Sequence, residues 1–240
     1  MAPEIFPYRD LKPHARVRLF CLPYAGGSAS LYRLWGSALG PSVEVVPVEL
    51  PGRGRRMGEA LVTDFASLVD GLATAMRPLL DKPYALFGHS LGSTVAFELA
   101  RALRDYRPAE LLFVSAGIAP HLPDPNIPDD LSDDGLVAEL RRRGATPPEL
   151  FDEPELLEIF LPIIRADFEL IKAYQLAPGA PLAFPVTAIA GTRDPEVDAE
   201  GVAAWKEHTS AAFRVVTIEG DHFFITAQQR ALLAAIAKQL

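Results

Sequence analysis

The sequence predicts an α/β domain: a mostly parallel central sheet flanked by helices, with a helical insertion between late strands. Three observations carry this. Short apolar runs alternate with longer amphipathic segments, the pattern of strands joined by crossover helices. One proline- and aspartate-rich passage breaks that alternation and leads into two further helical segments. The chain has 240 residues and 49% hydrophobic content, which suits one domain with a buried sheet.

Taken in order, the strands are expected at Val17–Leu22, Val43–Glu49, Tyr84–Gly88, Leu111–Ala116, Val186–Ala190 and Arg214–Ile218. Each is a short apolar run of the kind that a sheet covered on both faces requires. Helical spacing marks Thr63–Leu80 and Leu91–Arg104 between them, and Val202–His208 and Ala227–Gln239 near the end. The insertion begins at His121-Leu122-Pro123-Asp124-Pro125-Asn126-Ile127-Pro128 and continues into helical segments at about Asp133–Arg143 and Pro154–Leu176. An ordinary connection between helix and strand is about 2–6 residues, so residues 120–180 are expected to form a lid within a single domain spanning 1–240. Its position places it over the C-terminal strand edge, where ligands bind in open α/β sheets. Ile159, Phe160, Ile163, Ile164, Phe168 and Ile171 give the second segment much apolar surface, some of which must face the protein body or a ligand. The alternative is an extra packing layer without a role. No internal repeat is evident.

Composition narrows the function. A formal charge of −8 argues against nonspecific binding to nucleic acid, which needs a basic footprint. The mean hydropathy of +0.14 argues against disorder. The single cysteine, Cys21, cannot form an intramolecular disulfide or a thiolate metal cluster and is expected to be buried in the first strand. No apolar run approaches the ~20 residues of a membrane span, and Met1 to Arg18 has no continuous apolar core of a signal peptide. A cytoplasmic monomer is expected.

Gly88-His89-Ser90-Leu91-Gly92 stands where a predicted strand meets a predicted helix, matching G-x-S-x-G in the context that an α/β-hydrolase nucleophile elbow requires. The two glycines let strand and helix pass closely, while the serine is held in a strained conformation at the sheet edge. Leu91 N–H then points toward a developing oxyanion. A serine hydroxyl needs a base. Of the five histidines, His14, His89, His121, His208 and His222, only His222 follows a late strand through a loop, Glu219-Gly220-Asp221. The chain order serine, acid, histidine selects it. Asp194, in Gly191-Thr192-Arg193-Asp194-Pro195, is the expected acid; Asp198 is the alternative, and Asp221 is directed away from its neighbour's ring. Ala25, in the glycine-rich loop Pro23-Tyr24-Ala25-Gly26-Gly27-Ser28, is expected to supply the second oxyanion donor.

With Leu50-Pro51-Gly52-Arg53-Gly54-Arg55-Arg56 and Gly220-Asp221-His222-Phe223-Phe224 added, these five motifs in this order resemble the type II thioesterases. Those are free-standing editing hydrolases of polyketide and nonribosomal peptide synthesis, close to the medium-chain fatty acyl thioesterases. The resemblance runs from about Arg18 to the end and includes Leu161-Pro162-Ile163-Ile164-Arg165-Ala166-Asp167, which is similar to the family's lid helix. It implies an α/β-hydrolase fold and hydrolysis of acyl groups from the phosphopantetheine arm of acyl or peptidyl carrier proteins. Ser90 would attack, His222 would take the proton, Asp194 would orient it, and no cofactor or metal would be needed. Two features depart from the family: Leu91 stands where many members have methionine, and Arg141-Arg142-Arg143-Gly144-Ala145-Thr146-Pro147 is unusually basic. Carrier proteins are usually acidic, so Arg53, Arg55, Arg56 and Arg141–Arg143 are available for docking, or else form solvated or salt-bridged faces. A generic carboxylesterase or lipase, an acyltransferase, and a noncatalytic protein on a hydrolase scaffold are the competing readings. Dehalogenase or epoxide hydrolase chemistry would want aspartate at position 90.

Overall fold

The computed structural model describes residues 4–144 and 151–240; Ala145, Thr146 and Pro147 of the basic stretch lie outside the described residues. Six strands form one sheet: β1 Val17–Leu22, β2 Val43–Pro47, β3 Tyr84–His89, β4 Leu111–Ser115, β5 Val186–Gly191 and β6 Phe213–Ile218. Their order is β2-β1-β3-β4-β5-β6, and every pairing is parallel. This is the predicted α/β architecture, and each strand lies where its apolar run placed it. The second run ends at Pro47 rather than Glu49. There the chain leaves the sheet, Glu49 N–H donating to the Ile5 carbonyl while its carboxylate turns to the Ala29 and Arg55 amides.

The helices are α1 Trp35–Leu39, α2 Phe65–Met76, α3 Leu91–Leu103, α4 Asp133–Arg143, α5 Pro154–Ala173, α6 Ala199–Ala203, α7 Phe224–Ala227 and α8 Gln229–Ala237. Two predicted helices change character. Ala204–His208 closes α6 as a tighter 3-10 turn, and Gln228 (φ −119°, ψ 31°) divides the last helix. Alternation along β1 sorts the core into two layers. Phe20 and Leu22 face α2 and α3, whereas Leu19 and Cys21 face α1 and α8. Burial holds the Cys21 thiol well above its ordinary pKa, as an inert core thiol.

Because β1 and β3 are neighbours, the chain reverses its direction of travel across the sheet between them. In open parallel sheets the crevice beyond the strand ends at such a point is where ligands bind. The β1–β3 register sets Leu22 against Gly88, so the loop after β1 and the elbow after β3 emerge side by side. The β4–β5 connection carries α4 and α5, which share a small apolar cluster of Leu136, Leu161, Ile164 and Phe168. Of the apolar residues of α5, Ile163, Ile164 and Phe168 are buried and Ile159 is 47% exposed.

Candidate active site

Ser90 joins β3 to α3 with φ 54° and ψ −122°, a left-handed conformation that costs a non-glycine residue about 1–3 kcal/mol. The surroundings hold it there. Ser90 N–H donates to the Ser115 carbonyl at 2.8 Å, and Ser93 Oγ bridges the Gly88 and Ser115 carbonyls at 2.9 and 3.0 Å. A methyl group on Gly88 would overlap the Gly92 carbonyl, and one on Gly92 would overlap that of Leu22. Both glycines are therefore needed for strand, helix and β1 to approach so closely. Leu91 is the first residue of α3, so its N–H has no carbonyl one turn earlier.

Asp194 and His222 come from the loops after β5 and β6, which are joined to each other. Arg193 N–H donates to the Gly220 carbonyl at 2.8 Å, Gly220 N–H to Thr192 Oγ1 at 3.2 Å, and Thr192 N–H to the Ile218 carbonyl at 2.9 Å. His222 Nδ1 lies 3.0 and 3.1 Å from the two Asp194 oxygens. An ionised carboxylate can only accept, so Nδ1 carries the proton and Nε2 keeps its lone pair. The Asp194 side chain is fully buried, and its Oδ1 also takes the Glu196 N–H at 2.8 Å. Among the described residues His222 Nε2 is buried with no hydrogen-bond partner. Asp198 instead caps α6, its Oδ1 accepting from Gly201 N–H at 2.7 Å.

Ser90, His222, Ala25 and Leu91 line one cavity of about 230 Å³, which Phe168, Ile171 and Tyr174 also line. The expected site residues are thus brought together, Asp194 standing behind His222. Three neighbours were not anticipated. Glu196 Oε2 lies 3.8 Å from His222 Nε2 and accepts from Arg143 at 2.6 Å; burial raises its carboxyl pKa against the opposing pull of His222 and Arg143. Arg143 reaches this cavity from the end of α4. His89 supports the site from below: its Nε2 donates to the His222 carbonyl at 2.9 Å, leaving Nδ1 to accept from Ser115 Oγ at 3.0 Å. The only sequence signal for His89 was its place in the elbow.

Burial, reinforced by the nearby His222, lowers the His89 pKa to about 3. In the unfolded chain the same ring would titrate near pH ~6.5. Between these values the unfolded state binds the extra proton, so stability falls as pH falls, by at most about 1.4 kcal/mol per pH unit. Melting followed from pH 7 to 4 should show a shallower acid slope in His89→Gln than in the unsubstituted protein. An unchanged slope would contradict this account.

Of the two alternatives open for the arginine clusters, docking or salt-bridged faces, the structure shows mostly the second. Arg53 is buried in a two-pronged pair with Asp167, and Arg56 bonds Glu59 and the Glu49 carbonyl. Arg142 and Arg143 both pair with Glu139. Their guanidinium groups satisfy nearby carboxylates, the salt-bridged alternative for Arg53 and Arg56, while Arg55, Arg141 and Arg142 remain exposed. Among the described residues no group of three or more histidine, cysteine or acidic side chains is arranged to hold a metal, and no helix is long and apolar enough to cross a membrane.

Comparison with known proteins places this geometry. The thioesterase domain family matches residues 17–240. LgrE of Brevibacillus parabrevis, named a linear gramicidin dehydrogenase, is 42% identical over 233 residues, covering 94% of this chain and 88% of its own. BorB, the type II thioesterase from the borrelidin biosynthetic cluster, superposes with a TM-score of 0.88 at 37% identity, covering 99% of this chain and 98% of its own. RedJ, a thioesterase of the prodiginine pathway in Streptomyces coelicolor, gives 0.87 at 36% identity, covering 94% of this chain and 91% of its own. LgrE carries a different activity in its name, but the matched domain and both solved relatives are thioesterases. The likeness to type II thioesterases read from five motifs is borne out, and the chain belongs to the thioesterase family.

Proposed function

We propose that this chain hydrolyses acyl groups held as thioesters on the phosphopantetheine arm of acyl or peptidyl carrier proteins, clearing misprimed or stalled chains from a modular synthase. The carrying observation is Ser90, held at φ 54° in the same cavity as His222, whose Nε2 has no hydrogen-bond partner among the described residues. Ser90 is the nucleophile and His222 Nε2 its base; Asp194 fixes the tautomer and stabilises the imidazolium. As Ser90 Oγ bonds to the thioester carbonyl carbon, its proton passes to Nε2. The oxyanion is met by the N–H groups of Ala25 and Leu91. The carbon–sulfur bond then breaks, the pantetheine sulfur leaves as thiol, and water activated by His222 releases the acid and restores Ser90. The pantetheine arm arrives with the substrate, and the chain supplies no cofactor or metal of its own.

In this reading residues 120–180 are the lid of a single domain. Phe168, Ile171, Tyr174 and Leu91, which line the cavity with Ser90, shape the acyl site. The relatives BorB and RedJ belong to biosynthetic clusters and pathways, which supports carrier-bound substrates. The enzyme acts as a monomer in the cytoplasm.

Incubation with a panel of acylated carrier proteins, read by mass spectrometry, should show loss of the acyl mass with the pantetheine arm intact. Matched oxygen esters of the same acyl groups should turn over more slowly. A strong preference for the oxygen esters would instead make the chain a carboxylesterase.

A further inference from the structure

A backbone oxyanion donor works only as well as its loop is fixed, because its benefit lies in being aimed before the reaction begins. The Pro23–Ser28 loop has unusual fixings. Glu49 Oε1 accepts from Ala29 N–H at 2.9 Å, and Arg53 Nη1 reaches the Gly27 carbonyl at 3.4 Å. Asp167 of α5 accepts the Gly26 N–H on Oδ2 at 2.7 Å, while both its oxygens take Arg53 at 2.6 and 2.7 Å. The Arg53 and Asp167 side chains are only 5% and 2% exposed.

A second contact lies one turn earlier on the same helix. Gly26 has φ 77°, and a methyl there would come within 2.9 Å of Ile164 Cγ1. Helix α5 thus touches the residue after Ala25 by both packing and a charged hydrogen bond. The same helix supplies Phe168 and Ile171 to the cavity wall. Neither Asp167 nor the Leu50–Arg56 motif has a part in the chemistry above. Burial also removes Arg53 from docking. A buried ion pair is weak evidence for stability, so its contribution here must be sought in what it aims.

We propose that Asp167, charge-paired with Arg53, is a positioning residue for the oxyanion site. It fixes the Gly26 amide, and with it the preceding Ala25 N–H, relative to Ser90. It also ties that amide to the helix that walls the acyl group, so α5 and the oxyanion loop move as one body. The proposal rests on the oxyanion role given to Ala25.

Three variants test it: Asp167→Asn, Arg53→Lys, and Arg53→Met/Asp167→Leu, which removes both charges and leaves neither stranded. For each, melting is measured together with kcat and KM on an acyl-pantetheine thioester and a p-nitrophenyl ester. Inhibition by an alkyl boronic acid that mimics the tetrahedral intermediate is measured alongside. The double variant should melt cooperatively. Its kcat should fall roughly 10- to 100-fold, less than the loss of a whole donor, with KM within about threefold. Boronate affinity should fall by a similar factor, since that ligand occupies the oxyanion position. Arg53→Lys, keeping the charge without the fork, should lie between.

A folded double variant with kcat and boronate affinity within about twofold of the unsubstituted enzyme would overturn the proposal. So would a loss confined to KM, or failure of all three variants to fold, which would make the pair structural. An enzyme active only on the oxygen ester would refute the carrier-thioester reading, yet the variant ratio on that ester would still decide the role of Asp167. Fluorophosphonate labelling of Ser90 in the unsubstituted protein tests the nucleophile independently of both.

Discussion

Replacing Ser90 by alanine is expected to end acyl-enzyme formation while leaving the fold intact. The hydroxyl is the atom that becomes covalently bound, and no neighbouring serine can take its place. Ser93, the nearest in sequence, uses its Oγ to bridge the Gly88 and Ser115 carbonyls and does not line the cavity. The backbone at position 90 is held by the Ser115 carbonyl and by close packing at Gly88 and Gly92, none of which involves the Ser90 side chain. Alanine bears the same left-handed strain, so melting should shift little. Labelling by a fluorophosphonate, read as a mass increase on the intact chain, should disappear. Labelling that persisted in Ser90→Ala would refute the assignment.

Asp194→Asn should lower kcat by roughly 10³–10⁴-fold, by analogy with other triads, equivalent to about 4–5.5 kcal/mol of transition-state stabilisation. The amide has nearly the same shape and can still accept the Glu196 N–H. Its NH₂ group, however, can donate to His222 Nδ1, which would leave the proton on Nε2 and remove the base. KM should change far less than kcat. Asp198→Asn is the matching control, because asparagine caps a helix about as well as aspartate and Asp198 caps α6. A small loss in Asp194→Asn beside a large one in Asp198→Asn would transfer the acid role to Asp198.

The six strands were legible because each is a short, largely apolar run bounded by turn residues; β1 to β4 are buried throughout, whereas the edge strand β6 is partly exposed. Ser90, His222 and Asp194 were legible for a related reason: each lies in the turn or loop that follows a strand, so the loop position alone brings them to one sheet edge. What escaped were side chains reaching that edge from elsewhere. Glu196 sits two residues beyond Asp194 and is drawn in by Arg143, which arrives from α4, far off in sequence. Asp167 left a fainter mark, a carboxylate on the apolar side of α5 between Ile164 and Phe168, where an unpaired charge could not remain. Its partner Arg53 was visible as part of a basic motif, but its burial was not, since composition records charge without direction. Periodicity finds elements; it does not find pairs between distant elements.

The strand order has a consequence for how activity should be used as a measurement. The elbow and the Ala25 loop meet only when β1 and β3 pair, across a long stretch of intervening chain that includes β2 and α2. Asp194 and His222 meet only when β5 and β6 pair at the other side of the sheet. Helices form locally and early, whereas pairings of this kind wait on distant segments finding one another. Recovered helical signal during refolding therefore says little about the catalyst. Hydrolysis requires both sets of long-range pairing, β1 with β3 and β5 with β6, and serves as a strict assay of correct topology in a preparation of this protein.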